Sequence, residues 1–137
     1  MTILVIDAQG GGIGRQLVTA IKQQIPTASV LAVGTNTAAT TAMLKAGADE
    51  AATGENSVIV GCRRADIIVG PIGIVIADSL FGEVTPKMAL AVAQSNAKRI
   101  LIPFQHCDNV IAGISDFNTG ALIQSAVDEI AKHKSRG

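Results

Sequence analysis

Tryptophan and tyrosine are absent from this sequence, and phenylalanine occurs only three times, at Phe81, Phe104 and Phe117. Single-stranded nucleic acids are bound by stacking bases on aromatic side chains, so this composition removes the usual platform. An excess of charge of either sign is also lacking, because 11 basic residues balance 11 acidic ones. Neutralising a phosphate backbone needs clustered Lys and Arg, so no nucleic-acid partner is expected.

Cysteine and long apolar runs are equally scarce. Cys62 and Cys107 form no C-x-x-C pair, and together with His106 and His133 they lack the spacing of zinc ligands, so no metal site is expected. The longest apolar stretch, 67–77, contains two glycines and a proline and is about half the length that a membrane helix needs. The first residues do not read as a signal peptide. We therefore expect a cytoplasmic protein without a membrane partner.

What the sequence does contain is a regular alternation of strand-like and helix-like segments. The 137 residues suit one domain, 1–137. Continuous apolar segments, typical of strands covered on both faces, alternate with segments whose apolar residues recur every three or four positions. This pattern predicts an α/β fold, a minimal doubly wound parallel sheet of Rossmann-like type with about six strands in the order 3-2-1-4-5-6. The predicted strands are 3–6, 30–33, 48–51 (weaker), 66–70, 99–102 and 109–114.

Two helix starts carry their own chemistry. Thr85 precedes Pro86, as an N-cap precedes a proline in the first helical position. Asn118 or Thr119 is expected to open the last helix.

A glycine-rich loop follows the first predicted strand. Its glycines allow a tight turn and a close approach of backbone N–H groups to a phosphate, and the helix that follows adds partial positive charge. No P-loop pattern fits the segment, and Arg15 stands where a strict G-x-G-x-x-G from Gly10 needs a glycine. A tight turn without a ligand is the alternative to a phosphate site. The predicted ligand-binding residues here are Asp7, Gln9, Gly10, Gly11, Gly12, Ile13, Gly14 and Arg15.

The loop is similar to that of short-chain dehydrogenases, T-G-x-x-x-G-x-G, with Asp7-Ala8 where Thr-Gly is usual. Those enzymes work with a Tyr-x-x-x-Lys pair, and a chain without tyrosine cannot carry that chemistry. An acid at the end of the second strand usually holds the ribose hydroxyls of NAD. Gly34, Thr35 and Asn36 stand there instead, which favours NADP or another phosphorylated ligand, with Arg15 available to neutralise a 2′-phosphate.

Other residues are expected on the same edge of the sheet. Gly70, Pro71 and Gly73 follow the fourth strand, where dinucleotide enzymes place the ribose or nicotinamide, although a simple turn explains them equally well. The neighbouring His106, Cys107 and Asp108 have the residue types of a nucleophile and its base, but adjacent side chains rarely converge, and we assign no catalytic role there.

Two acidic side chains are given non-catalytic interpretations. Asp7 is expected to orient the glycine loop by accepting backbone hydrogen bonds rather than to act as a general base. Asp78 and Glu83 flank a very apolar segment and could face the cleft, but solvated positions are preferred for both.

Nearly the whole chain resembles a family of short bacterial Rossmann-like proteins catalogued as a domain of unknown function. The resemblance implies a compact nucleotide-binding-like fold, and no established activity comes with it. The stretches that carry it are DAQGGGIG (7–14), GTN (34–36), AT (39–40), MLKAGA (43–48), TGEN (53–56), ADIIVGPIGI (65–74), GEVTP (82–86) and ILIP (100–103).

The leading functional hypothesis is a small protein that binds NAD(P) or another nucleotide at loop 10–14 and senses, carries or presents it. An NADP-type oxidoreductase is the first alternative, its substrate pocket completed by a second subunit. The apolar segment 67–80 supports that version. Any of its apolar side chains left exposed would provide the contact surface of a homodimer or higher homo-oligomer. A ligand-free protein-interaction module is the second alternative. Whether the protein is an enzyme stays open.

Overall fold

The computed structural model describes residues 1–103, 109–114 and 118–134. Within them, five strands form one sheet in the order β3-β2-β1-β4-β5, and every neighbouring pair is parallel. The Rossmann-like α/β fold expected from the sequence is therefore confirmed. The strands are β1 (Thr2–Asp7), β2 (Ser29–Gly34), β3 (Glu50–Thr53), β4 (Ile67–Pro71) and β5 (Lys98–Ile102).

The prediction of a sixth strand at 109–114 is wrong. Within this segment Asn109 forms an isolated bridge, and a turn follows it at Ala112 and Gly113. Gly113 has a φ of 88°, which interrupts an extended backbone, and Val110 is 85% exposed. The apolar residues of the segment therefore gain no burial between two layers of helices, which is what the continuous apolar pattern had indicated.

Three of the five helices found in the described residues begin at a side-chain cap. The Asn36 side chain accepts a hydrogen bond from Ala39 N, and the predicted caps Thr85 and Asn118 accept from Met88 N and Ala121 N. The helices are α1 (Gly12–Gln24), α2 (Thr37–Lys45), α3 (Glu55–Arg64), α4 (Pro86–Gln94) and α5 (Thr119–Lys134), and a short 3₁₀ turn at Ile72–Val75 follows β4.

The helices cover both faces of the sheet. Alternate strand residues such as Ile3 and Val5 pack with α1, α2 and α5, and the residues between them, such as Leu4 and Ile6, pack with α3 and α4. Central strands buried on both faces are what the continuous apolar segments predicted. None of the described helices has the length and apolarity that crossing a bilayer requires.

The strand order creates a switch point beside β1. The chain runs outward from β1 through β2 to β3, then returns to place β4 on the other side of β1. In open α/β sheets, ligands bind beyond the carboxyl ends of the strands at such a point. The β1–α1 loop, the residues after β2 and the 3₁₀ turn after β4 all lie along this edge.

Candidate functional site

The β1–α1 loop is held by the carboxylate of Asp7, which is buried at the end of β1. Its Oδ1 accepts a hydrogen bond from Ala8 N at 2.8 Å, and its Oδ2 accepts one from Gly14 N at 2.6 Å. Burial raises the pKa of Asp7, and these backbone donors oppose the shift. Asp7 thus joins the start of the loop to the first turn of α1, which is the orienting role expected from the sequence.

Two glycines of the loop are required by internal packing. Gly11 has a φ of 74°, and a Cβ on it would lie 2.8 Å from the Cα of Ala39 in α2. A Cβ on Gly14 would lie 2.5 Å from the Sδ of Met43 and 2.8 Å from the Cβ of Asp7. Both positions therefore serve the close approach of loop and α1 to α2 and the sheet, and neither of these glycines by itself indicates a ligand.

Gly10 and Gly12 are different. A Cβ on either would meet no described atom within 4 Å, and neither has a positive φ. Their backbone N–H groups find no hydrogen-bond acceptor among the described residues. Gly12 is the first residue of α1, so its N–H belongs to the group that no helix can satisfy internally. These two positions leave an open surface with unpaired donors at the start of α1.

Glu83 reaches the same edge from the segment between β4 and α4. Its Oε1 accepts hydrogen bonds from Gln9 N at 2.9 Å, Thr35 Oγ1 at 2.7 Å and Asn36 Nδ2 at 2.7 Å. We call these four residues the Glu83 cluster. It connects the glycine loop with the residues that follow β2. The prediction that Glu83 is solvated is wrong, because its side chain is half-buried and hydrogen-bonded in this cluster.

The electrostatics of the Glu83 cluster differ from those of Asp7. Partial burial alone would raise the pKa of Glu83, but the hydrogen bonds from Thr35, Gln9 and Asn36 outweigh it and hold the pKa below its ordinary value. Glu83 is therefore an ionised carboxylate at neutral pH. The preference for NADP rested on the lack of a carboxylate at the end of β2, but the fold brings the Glu83 carboxylate to that position.

The remaining glycine positions at this edge serve packing. Gly34 ends β2, where a Cβ would lie 2.5 Å from Thr40 Oγ1, and a Cβ on Gly70 would collide with the carbonyl oxygen of Ile6. Pro71 ends β4, and Gly73 is buried in the 3₁₀ turn that follows. The structure thus brings all of them to the predicted edge and gives Gly34 and Gly70 an explanation that needs no ligand.

Arg15 and Ile13, two predicted ligand residues of α1, have contacts outside the glycine loop. Arg15 lines a cavity of about 260 Å³ between α1 and α5, beside Gly120 and Gln124, and it forms no ion pair within the described part of the chain. Ile13 packs against the core on the face of the sheet that α1, α2 and α5 cover. Neither side chain belongs to the Glu83 cluster.

His106, Cys107 and Asp108 lie outside the described residues. Among the residues that are described, no three His, Cys, Asp or Glu side chains come together as a metal site would require. The free thiol of Cys62 is buried, and burial raises its pKa to about 11.

A larger cavity, of about 730 Å³, lies between α3 and α4 at the opposite edge of the sheet. Apolar side chains such as Leu90 and the basic residues Arg63, Lys87 and Lys98 line it. Sequence reasoning missed this cavity, because its wall is built from two helices and from the amino ends of β4 and β5, which carry no motif.

Comparison with known families gives one match that spans almost the whole chain. The model of the family described as "Domain of unknown function (DUF3842)" matches residues 2–135. The chain belongs to the DUF3842 family. The family resemblance inferred from the sequence is therefore confirmed, whereas the similarity of the loop to short-chain dehydrogenases stays a prediction.

Two further comparisons, with curated proteins and with solved structures, were made for this DUF3842 member. No curated protein matches it. One similar solved structure is the crystal structure of a dodecameric FMN-dependent UbiX-like decarboxylase from Escherichia coli O157:H7, at 18% identity and a TM-score of 0.47 over 96% of this chain and 76% of that one. That likeness assigns no role to any residue described above.

Proposed function

We propose that this DUF3842 protein binds a nucleotide whose phosphate lies on the backbone N–H groups of Gly10 and Gly12. The observation that carries this proposal is the division among the loop glycines. Packing and backbone conformation account for Gly11 and Gly14, but they leave Gly10 and Gly12 unexplained. A close approach of a ligand to the backbone is a physical reason for glycine at both positions.

The chemistry of the open surface suits a phosphate. The first N–H groups of α1 point out of the helix, and its macrodipole adds partial positive charge at that end. The N–H groups of Ala8 and Gly14 are already occupied by the Asp7 carboxylate. Asp7 therefore holds the loop in one conformation and leaves the donors of Gly10 and Gly12 for a ligand.

We propose a binding role rather than turnover, so that the protein senses, carries or presents its nucleotide. The two carboxylates that accept from the glycine loop, Asp7 and Glu83, hold the protein's own donors. Asp7 accepts from one backbone group of the loop and one of the first turn of α1, and Glu83 accepts from one backbone and two side-chain donors. A general base has to accept a proton from its substrate. Both oxygens of Asp7 are occupied, and the lowered pKa of Glu83 makes its carboxylate a weak base, although its Oε2 is open.

The proposal is tested by placing a charge on the open surface. Gly12→Asp puts a carboxylate in the first turn of α1, where it suits the helix dipole and repels a phosphate. Gly120→Asp is the matched control, because Gly120 lies in the first turn of α5 and a Cβ there meets only Asn118 Oδ1, at 3.5 Å. Thermal unfolding of all three proteins is followed with a panel of nucleotides.

We expect nucleotides to stabilise the wild type and Gly120→Asp but not Gly12→Asp. If no nucleotide raises the unfolding temperature of the wild type, the proposal is overturned and the interaction-module hypothesis takes its place. If Gly12→Asp is stabilised as strongly as the wild type, the ligand binds elsewhere and the assignment to this loop is wrong.

A further inference from the structure

Within the proposed nucleotide site, we propose that Glu83 selects ligands with a free ribose diol and rejects those with a 2′-phosphate. This inference rests on the proposed function and adds the class of nucleotide, of NAD type rather than NADP type. The geometric basis is the position of the Glu83 carboxylate, between the glycine loop and the end of β2, 2.9 Å from Gln9 N and 2.7 Å from Thr35 Oγ1.

That position is the one where dinucleotide-binding sheets place an acid for the ribose hydroxyls. In those folds the acid ends the second strand, whereas β2 of this chain ends in Gly34 and continues into Thr35 and Asn36. Here the segment between β4 and α4 delivers the carboxylate from the other side of β1. The same function is thus supplied by a residue 48 positions away from Thr35 in the sequence.

One oxygen of the carboxylate is available to a ligand. All three donors of the cluster bind Oε1, and Oε2 has no hydrogen-bond partner within the described ranges. An ionised carboxylate oxygen accepts strongly from a hydroxyl and has no hydrogen to donate. Oε2 is therefore suited to a ribose hydroxyl, while a phosphate in the same place would meet acceptor against acceptor.

Charge reinforces this selection. Arg15, the cation that could have neutralised a 2′-phosphate, lines the cavity beside α5 instead. A 2′-phosphate would add about two negative charges next to an ionised carboxylate, with no compensating cation among the described residues of the cluster.

The carboxylate is also fixed in place by its own segment. Within it, Asp78 N donates to Val84 O at 2.7 Å, and Glu83 N donates to Leu80 O at 3.2 Å. Three residues other than glycine, Asp78, Leu80 and Phe81, have φ values between 56° and 64°. Conformations that L residues rarely adopt persist where the surrounding structure enforces them, often at ligand sites. Glu83 therefore stands on a hydrogen-bonded turn of defined conformation, which favours a carboxylate positioned before the ligand arrives.

The test compares NAD⁺ and NADP⁺, which differ only in the 2′-phosphate, by isothermal titration calorimetry. Glu83→Gln keeps the side-chain length and an acceptor oxygen but removes the charge. Glu50→Gln is the matched control, because Glu50 lies at the start of β3, at the opposite edge, in an exposed ion pair with Arg64. We expect the wild type and Glu50→Gln to bind NAD⁺ at least about tenfold more tightly than NADP⁺. In Glu83→Gln this ratio should fall by about tenfold.

The outcomes separate this inference from the proposed function. A wild type that binds NADP⁺ as tightly as NAD⁺, or a ratio unchanged by Glu83→Gln, overturns the selectivity. If Gly12→Asp abolishes binding of both dinucleotides in that case, the proposed function stands without it. If neither dinucleotide binds the wild type, the selectivity is overturned as well, and the wider nucleotide panel decides the proposed function on its own.

Discussion

At the scale of single residues, the loop glycines divide into two kinds that predict opposite effects on stability. Gly14→Ala forces a Cβ to within 2.5 Å of Met43 Sδ, and such overpacking lowers the free energy of unfolding by about 1–3 kcal/mol. Gly12→Ala adds its methyl group to open space at a helical position, so stability is kept or rises by up to about 1 kcal/mol. Urea unfolding followed by circular dichroism measures both.

The comparison is informative because the two positions are two residues apart in the same helix. Equal destabilisation by both substitutions would contradict the division and would mean that Gly12 also serves packing. Gly12→Ala is then used in the nucleotide assay, where a loss of binding without a loss of stability is the result that the proposed function requires.

The titration of Glu83 gives a second prediction at this scale. Its pKa in the folded protein lies below the ordinary value of 4.5, so its hydrogen bonds stabilise the fold fully above that pH and lose this effect as the pH falls through the folded pKa. The wild type should therefore lose more unfolding free energy than Glu83→Gln between about pH 5 and about pH 3. Parallel losses in urea titrations at these two pH values would contradict the assignment of Glu83 as an ionised acceptor.

At the scale of elements, the start of α4 determines how the Glu83 segment joins the helix. Thr85 Oγ1 accepts from Met88 N at 3.2 Å and donates to Glu55 Oε2 at 2.6 Å, so one hydroxyl caps α4 and ties it to α3. Thr85→Ala should lower the free energy of unfolding by about 0.5–2 kcal/mol, whereas Thr85→Ser keeps both bonds and most of the stability. A Ser variant as unstable as the Ala variant would show that the methyl group, not the cap, is the important part.

The same elements show why most of the fold could be predicted from the sequence. Strands buried on both faces leave continuous apolar segments, and the helix starts at Thr85 and Asn118 carry recognisable caps. Segment 109–114 has the same apolar composition without the burial, since Val110 is 85% exposed. Composition alone cannot distinguish these two cases, because burial depends on which neighbours the rest of the chain supplies.

Only part of the candidate site could be predicted from the sequence, for a related reason. Asp7 is adjacent in sequence to the loop it holds, so its role could be predicted. Glu83 reaches Thr35 and Asn36 through a turn in which Asp78, Leu80 and Phe81 adopt left-handed backbone conformations. Gly82 and Asp78 are residue types that tolerate such a backbone, but Leu80 and Phe81 are not. No local pattern therefore placed the carboxylate beside β2.

At the scale of the whole molecule, segment 67–80 gives little support to the predicted oligomer. The apolar segment 67–80 was expected to leave an exposed remainder, but its large side chains are buried or half-buried in this chain. Among the described residues, the most exposed large apolar side chains lie elsewhere, on Phe81 at 98% and Val110 at 85%, with Leu90 at 54%. The homodimer or higher oligomer stays a prediction, and light scattering of the purified protein at several concentrations measures it.

The lack of tryptophan and tyrosine makes the whole molecule a sensitive detector of its own ligand. Such a chain is nearly transparent in the near ultraviolet, so that even a partly occupied nucleotide site dominates the absorbance spectrum of freshly purified protein. We expect a nucleotide-like band in the wild type and its loss in Gly12→Asp, with native mass spectrometry giving the mass of the bound molecule and the number of chains together. A band that persists in Gly12→Asp would place the ligand away from the glycine loop. The 730 Å³ cavity between α3 and α4 is then the next place to look, because its lining combines apolar side chains with three basic residues against one acidic residue, Asp66, which suits an anionic ligand with an apolar part.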